Sequence, residues 1–470
     1  MIKNHIKVLI LIFFGFFLSV FFSINNLNKY DKNLIDANGN NYHQMIKYDT
    51  YLYLSHGSEI KNDLKNGKNF FETGREHYTK YLPARIAALY YYILDVNLFE
   101  NENTKKINTN IHFYYLIIQS LIYFLCLIFF YLLTKEIFEK RIIYFIIAFF
   151  CFEPTLFQYH GTFWSETYFF SFQILLAGLI LSKNQTIVKF LSIGLVLGLM
   201  SLQKQPGIFY IIPVSIFLIF YEKRRIFIKL VFLLIGFALI LSILGFNNLQ
   251  RSEKFYLISG DAKMEIHNKL VRKVMTKKLN ISREKFDLIE GEYAKNWLKQ
   301  KNIKYDASSN LLKSKKTWKN YRNSIYKEKD KIKFDDYIRN RSLDYLLDYP
   351  LEFIYAVING SFHTLLLNPL HIYSDHKFRS GEIYYGSEDH KKFIPYRMAY
   401  TLIIYLLCLL GVINLINKKE YYLLSFIILS YLYFYVTISW HGNTRYYLPS
   451  FVYLGFLFTY GVDYFLKKLR

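Results

Sequence analysis

A handful of carboxylates, a histidine and a few cations are the residues of this chain best suited to bond-making chemistry. Asp36 and Asp49 lie in the stretch 25–110, and aromatics surround Asp49 in Ile46-Lys47-Tyr48-Asp49-Thr50-Tyr51-Leu52-Tyr53. A carboxylate there suits a general base or a metal ligand aimed into a cavity; an exposed loop aspartate is the plain alternative. His160 and Glu166 flank one short turn, Gln203-Lys204-Gln205-Pro206 forms another, and His441, Arg445 and Tyr446 gather near a later helix. Cations at a membrane boundary suit a phosphate, which accepts charge-assisted hydrogen bonds from them. Each residue also has an ordinary role open to it. Glu166 would serve a helix dipole, Lys204 would be a solvated turn lysine, Arg445 would anchor a headgroup, and His160 would be a satisfied interfacial histidine. Glu153, beside Pro154, would pair with a buried base or line a wet cleft. Cys126, Cys151 and Cys408 sit in apolar runs without metal-ligand spacing and read as small hydrophobes.

These residues are spaced out by long apolar runs: Val8–Ile24, Phe113–Leu133, Ile142–Phe157, Thr167–Leu181, Ile187–Leu202, Ile208–Tyr221, Ile226–Phe246, Met398–Ile416, Tyr421–Ser439 and Tyr446–Phe465. Their lengths predict an all-α polytopic membrane protein of roughly ten spanning helices. Tyr81–Leu94, with Pro83 and Arg85, and Leu351–Leu370, with His363 and Pro369, read as interfacial or re-entrant helices. Twelve spans result if both cross. The chain is 53% hydrophobic and 20% aromatic, and its charges cluster between the apolar runs. The net charge of +23 therefore reflects basic loops and a basic extramembrane domain, and nucleic acid is not an expected partner.

The basic residues of the short loops set an orientation. With the N-terminus inside, Lys135, Lys140, Arg141, Lys183, Lys189, Lys223, Arg224, Arg225, Lys229, Lys418, Lys419, Lys467, Lys468 and Arg470 all fall on the cytoplasmic side. Lys3 and Lys7 precede the first apolar run, which lacks a small-x-small cleavage site and reads as an uncleaved first span. The expected organisation is a membrane module over 1–246 with a first outer loop at 25–110. An external, mainly helical domain follows at 247–397, then C-terminal membrane helices at 398–470. Apolar spacing predicts helix over Ala262–Asn302 and Tyr321–Leu346. In this frame the unusual polar residues gather at the outer face.

At these residues the chain resembles the glycosyltransferase C-fold superfamily, in particular the bacterial relatives of protein mannosyltransferases and of the lipid A aminoarabinose transferase. Asp49-x-x-x-Tyr53, Gly67-Lys68-Asn69-Phe70 and Tyr81-Leu82-Pro83-Ala84-Arg85 are similar to that family's loop aspartate, glycine turn and proline-bearing helix. Pro154 followed by Ser165-Glu166 resembles its outer-face carboxylate, and Gly194 to Gly207 its glycine-bearing helix with a basic-Pro turn, here Lys204 rather than Arg. Asp344-Tyr345-Leu346-Leu347-Asp348-Tyr349-Pro350 and Arg445-Tyr446-Tyr447-Leu448-Pro449 match in order and placement. The resemblance implies a transferase of the bacterial inner membrane that takes a sugar from a polyprenyl-phosphate donor to a glycan, lipid or protein acceptor at the periplasmic face. It implies Asp49 as base, with Asp36 as the alternative, and Lys204, Arg445 and Arg85 on the donor phosphate. Glu166, His160, Tyr53 and Tyr446 would stand around the acceptor. The resemblance names no certain cofactor and leaves a divalent metal open, held by Asp49, Glu166 and His160 only if these converge. A transporter or flippase for lipid-linked saccharide is the alternative; it calls for paired midplane charges and a topological repeat, and the sequence shows no repeat.

Overall fold

The structure, a computed structural model, describes the fold over residues 2–30, 33–35, 41–43, 49–74, 81–101, 106–107, 109–163, 165–184, 186–222, 225–253, 255–257, 264–366, 388–438 and 448–469. Side chains are described over 5–25, 53–74, 81–98, 112–163, 165–184, 186–222, 225–250, 253, 255–257, 264–327, 329–362, 365, 395–437 and 448–469. The apolar runs fall on helices, because a helix satisfies its own backbone groups where no water can. Residues 439, 446 and 447 lie outside the described residues.

The membrane part comprises α1 Ile2–Tyr30, α4 Thr109–Thr134, α5 Lys140–Phe152, α6 Pro154–Phe157, α7 Glu166–Leu181, α8 Ile187–Gln203, α9 Pro206–Phe209, α10 Ile211–Tyr221 and α11 Ile226–Ser252. Helices α18 Glu388–Asn417, α19 Tyr421–Ile438 and α20 Leu448–Lys468 complete it. Among the described residues four helical stretches are long and apolar enough to cross a membrane: His5–Asn25, His112–Thr134, Ile226–Gln250 and Pro395–Asn417. Glu166–Leu181, Ile187–Gln203, Pro206–Tyr221 and Tyr421–Thr437 are apolar but shorter. Two runs that read as continuous are broken. Pro154 lacks an N–H for the ladder, and Glu153, extended at φ −62° and ψ 120°, caps α6 by accepting from the Leu156 N–H. Tyr210 breaks the other run between α9 and α10.

Glycines let two helix pairs approach closely. A Cβ on Gly194 would strike the Leu233 carbonyl, and one on Gly236 the Leu191 carbonyl, so α8 and α11 meet backbone to backbone. Gly411 and Gly461 do the same for α18 and α20. Around them Tyr123, Phe130, Phe150, Phe169, Leu197 and Phe456 belong to one buried cluster.

Within 25–110 lie α2 Asp49–Lys65 and α3 Tyr81–Ile93, as well as two small hairpins that the all-α expectation lacks. Strand β1 Asn33–Ile35 pairs with β2 Asn41–His43, and β3 Phe99–Asn101 with β4 Lys106–Ile107, both antiparallel. Asn38-Gly39 between the first two strands is a strong hairpin signal.

Residues 264–366 form helices with apolar cores of their own. A π-helical turn at Ile266–Val271 leads into α12 Arg272–Lys278. Then come α13 Arg283–Gln300, α14 Asn310–Ser314, α15 Trp318–Asn323, α16 Glu328–Asp348 and α17 Pro350–Leu366. The single helix expected over 262–302 is split because Asn280 takes a left-handed φ of 50° and Ser282 caps α13 by accepting from the Lys285 N–H. Ala294, Leu298, Trp318, Phe334 and Ile338 pack one core.

Candidate active site

Helices α7 and α8 meet end to head, and the contact is ionic. Glu166 opens α7 and is 0% exposed. Lys204 closes α8 with an extended backbone, φ −149° and ψ 137°, which turns its side chain out of the helical ladder. Its Nζ lies 2.8 Å from Glu166 Oε1 and 5.7 Å from the centroid of Phe169. A carboxylate with no water around it requires such a partner. Beside the pair, Gln203 Nε2 donates to the Ser165 carbonyl at 2.8 Å, so the two helix ends are tied twice.

Asp49 is the first residue of α2, and its side chain lies outside the described residues. One turn later Tyr53 is buried, 1% exposed, within electrostatic reach of Tyr115. The next residue, Leu54, shares a buried cluster with Tyr115, Phe163 and Tyr168. The second turn of α2 thus contributes to the same apolar cluster as α4 and the first turn of α7, which begins with Glu166. Asp36, His441, Arg445 and Tyr446 lie outside the described residues.

His160 and Arg85 have settings unlike those of open ligand-binding groups. The His160 ring stacks on Phe124 at 5.6 Å and meets Tyr123 and Phe157 edge-on at 4.4 and 5.7 Å. Burial pushes its pKa down to about 3, which keeps the ring neutral. Arg85 donates to Thr73 Oγ1 and to the Thr73 and Phe70 carbonyls, and its guanidinium stacks over Phe70 and Tyr81 at 4.5 and 4.9 Å. Asn247 Nδ2 of α11 donates to the Phe71 carbonyl at 2.6 Å. Arg85 thus braces the 70–74 turn against α3 while α11 holds it from the other side.

Several buried polar residues escaped the sequence reading. Gln173, two turns along α7 from Glu166, donates to the Pro449 carbonyl at 2.8 Å. The Tyr210 hydroxyl lies 2.6 Å from both Ser430 Oγ and the Tyr453 hydroxyl, and Tyr433 donates to the Pro206 carbonyl. A glutamine within the apolar run Thr167–Leu181 was the available signal. Glu153 accepts from the Tyr400 hydroxyl at 2.5 Å, which gives this residue a partner on α18.

The described residues do not assemble a metal donor set. No three histidine, cysteine or acidic side chains converge among them; Glu166 faces Lys204, and the His160 ring is enclosed by aromatics.

A family model for dolichyl-phosphate-mannose-protein mannosyltransferase matches residues 104–246. No sequence among curated proteins matches the chain. In fold, the chain is similar to the archaeal oligosaccharyltransferase AglB from Archaeoglobus fulgidus in complex with an inhibitory peptide and a dolichol-phosphate. The TM-score is 0.51 at 11% identity, over 98% of this chain and 51% of that one. A second Archaeoglobus fulgidus oligosaccharyltransferase structure, with Zn and sulfate, aligns at a TM-score of 0.42 and 11% identity, over 97% of this chain and 49% of that one. The chain spans about half the length of these proteins. The matched family and the first of these structures both belong to the glycosyltransferase C-fold superfamily, so the resemblance read from the sequence recurs in two comparisons, and the chain, a membrane protein by its apolar helices, is similar in fold to that archaeal member.

Proposed function

We propose that the chain is a membrane glycosyltransferase that moves a sugar from a polyprenyl-phosphate-linked donor to a hydroxyl or amine acceptor. The proposed setting is the periplasmic face of a bacterial inner membrane, with both termini cytoplasmic and residues 247–397 outside. The buried Glu166–Lys204 pair, at helix ends within the family-matched segment, carries this reading. A lysine ammonium is a point charge on a flexible stem, so an arriving phosphate competes with Glu166 for it. Phosphate binding then leaves the carboxylate beside the bound donor, available to an acceptor. The dolichol-phosphate and peptide bound to the archaeal neighbour support a lipid-linked donor and leave glycan, lipid and protein acceptors all open.

In the proposed step an acceptor lone pair attacks the anomeric carbon, and the bond from that carbon to the phosphate oxygen breaks. The electron pair leaves with polyprenyl phosphate, which Lys204 and Arg445 stabilise while Arg85 adds positive field from the braced 70–74 turn. Asp49 receives the proton that the acceptor loses. Tyr53 and Tyr446 stand around the acceptor, and His160 supports the turn before Glu166. The donor's apolar tail lies among membrane lipids against the exposed helix faces.

Asp49→Asn tests the assignment directly. Transfer from a polyprenyl-phosphate sugar in membrane preparations should fall by roughly 10²–10⁴-fold, with expression and donor binding retained. Loss confined to Asp36→Asn moves the base to that residue. Full activity in both variants removes the reading.

A further inference from the structure

Between the Lys204 turn and the head of α20 runs a set of polar contacts that no step of the chemistry uses. The Lys204 turn continues directly into α9, whose first residue is Pro206, and the carbonyl of Pro206 accepts from Tyr433 of α19. This carbonyl needs an outside donor, because the Tyr210 N–H that would reach it in a continuous helix bonds Gly207 instead. Tyr210, 0% exposed, joins Ser430 of α19 to Tyr453 of α20. At the head of α20, which begins three residues after Arg445, the Pro449 carbonyl accepts from Gln173 of α7. Gln173 also bonds the Tyr453 side chain and the Tyr210 ring lies 5.2 Å from that of Tyr433, so these contacts together link the helix that starts with Glu166, the turn that carries Lys204 and α20.

We propose that Gln173, Tyr210, Tyr433 and Tyr453 are positioning residues that hold the Lys204 turn and the head of α20 at the separation one lipid-linked phosphate requires. The proposal rests on the transferase reading above. Apolar packing alone would hold these helices together, but it does not fix their sliding along one another. Hydrogen bonds to backbone carbonyls at helix heads do fix it, because they are directional, and the Gln173–Pro449 bond is buried. A misplacement near 1 Å at a reacting group is costly.

The test uses full-length protein in lipid nanodiscs, with polyprenyl phosphate as the binding probe and transfer assays alongside. Tyr433→Phe and Gln173→Met each remove one donor with little change in volume. Each should weaken polyprenyl phosphate binding and raise the donor KM by about three- to tenfold, the worth of one such hydrogen bond. Acceptor KM and the melting temperature should stay at wild-type values. Donor constants equal to wild type in both variants, with Lys204→Ala still weakening binding, overturn this inference alone. A fall in melting temperature with donor and acceptor KM shifted together also overturns it, because the network is then only structural. Failure of the wild-type protein to bind polyprenyl phosphate overturns the transferase reading and this inference with it.

Discussion

Glu166 and Glu290 are both fully buried carboxylates, one at the head of α7 and the other within α13, yet their partners differ in kind. Glu290 receives Nε and Nη2 of Arg341 at 2.6 and 2.8 Å and the Tyr345 hydroxyl at 2.7 Å, with His267 Nε2 at 3.4 Å. The guanidinium in turn stacks 3.8 Å from the centroid of Tyr293. A planar fork gripping both oxygens fixes three helical elements and leaves little to exchange with a ligand. Glu166 meets a lysine instead, a point charge on a flexible stem 2.8 Å from one carboxylate oxygen, where the guanidinium of Arg341 grips both oxygens of Glu290. Both carboxylates are buried, and under the proposed function the chemistry of the partner separates a structural clamp from a pair that exchanges with a ligand.

That contrast is open to measurement, beginning with the clamp. Glu290→Leu leaves the partly buried Arg341 without its anion and should destabilise the 264–349 helices by about 3–5 kcal/mol. Hydrogen exchange confined to those helices would register the loss, while sugar transfer at low temperature should persist. Next in size is a pH effect. Burial pushes the His267 pKa down to about 4, with Glu290 opposing and Arg341, Arg272 and Lys319 reinforcing the shift. Because the folded value lies below the usual histidine value near 6.5, the stabilisation is fully present above that pH and is lost as pH falls toward 4. The loss amounts to at most about 3 kcal/mol. Melting curves from pH 7 to pH 4 should show it, and His267→Gln should flatten the dependence. Smallest in free energy is Glu166→Gln, which should cut transfer by about 10–100-fold with melting close to wild type. If Glu166→Gln instead melts early and retains full activity per folded molecule, the two carboxylates are alike and the distinction fails.

Much of the helical frame was legible because apolar runs of this length have few alternatives. The exceptions have local causes: Pro154 breaks one run, the left-handed Asn280 splits another, and the Asn38-Gly39 signal goes with a hairpin. The site was legible only residue by residue. Glu166 and Lys204 each drew notice at a helix boundary, but no periodicity links positions 38 residues apart, so their pairing had to come from the fold. His160 shows the reverse. Its neighbours Tyr123, Phe124 and Phe157 look like ordinary core residues in sequence, and only their convergence turns the histidine into a neutral packing group. Gln173 and Tyr210 escaped for a similar reason, since a hydroxyl or amide in an apolar run declares no partner.

At the other end of α20 from Pro449, Asp463 is fully buried and faces Lys467 at 2.9 Å, Arg141 at 3.3 Å and Lys418 at 3.9 Å. Arg141 lies in the first turn of α5 and Lys418 follows α18, so both cations are synthesised before Asp463. Lys418 also has Glu139 at 2.6 Å, a carboxylate made before it, whereas Arg141 pairs with Asp463, so until α20 inserts the Arg141 charge stays at the lipid headgroups. Closure of the helical assembly is thereby made conditional on its late-synthesised segment. A chain stalled before residue 448 would leave its earlier helices unlatched and exposed to membrane quality control.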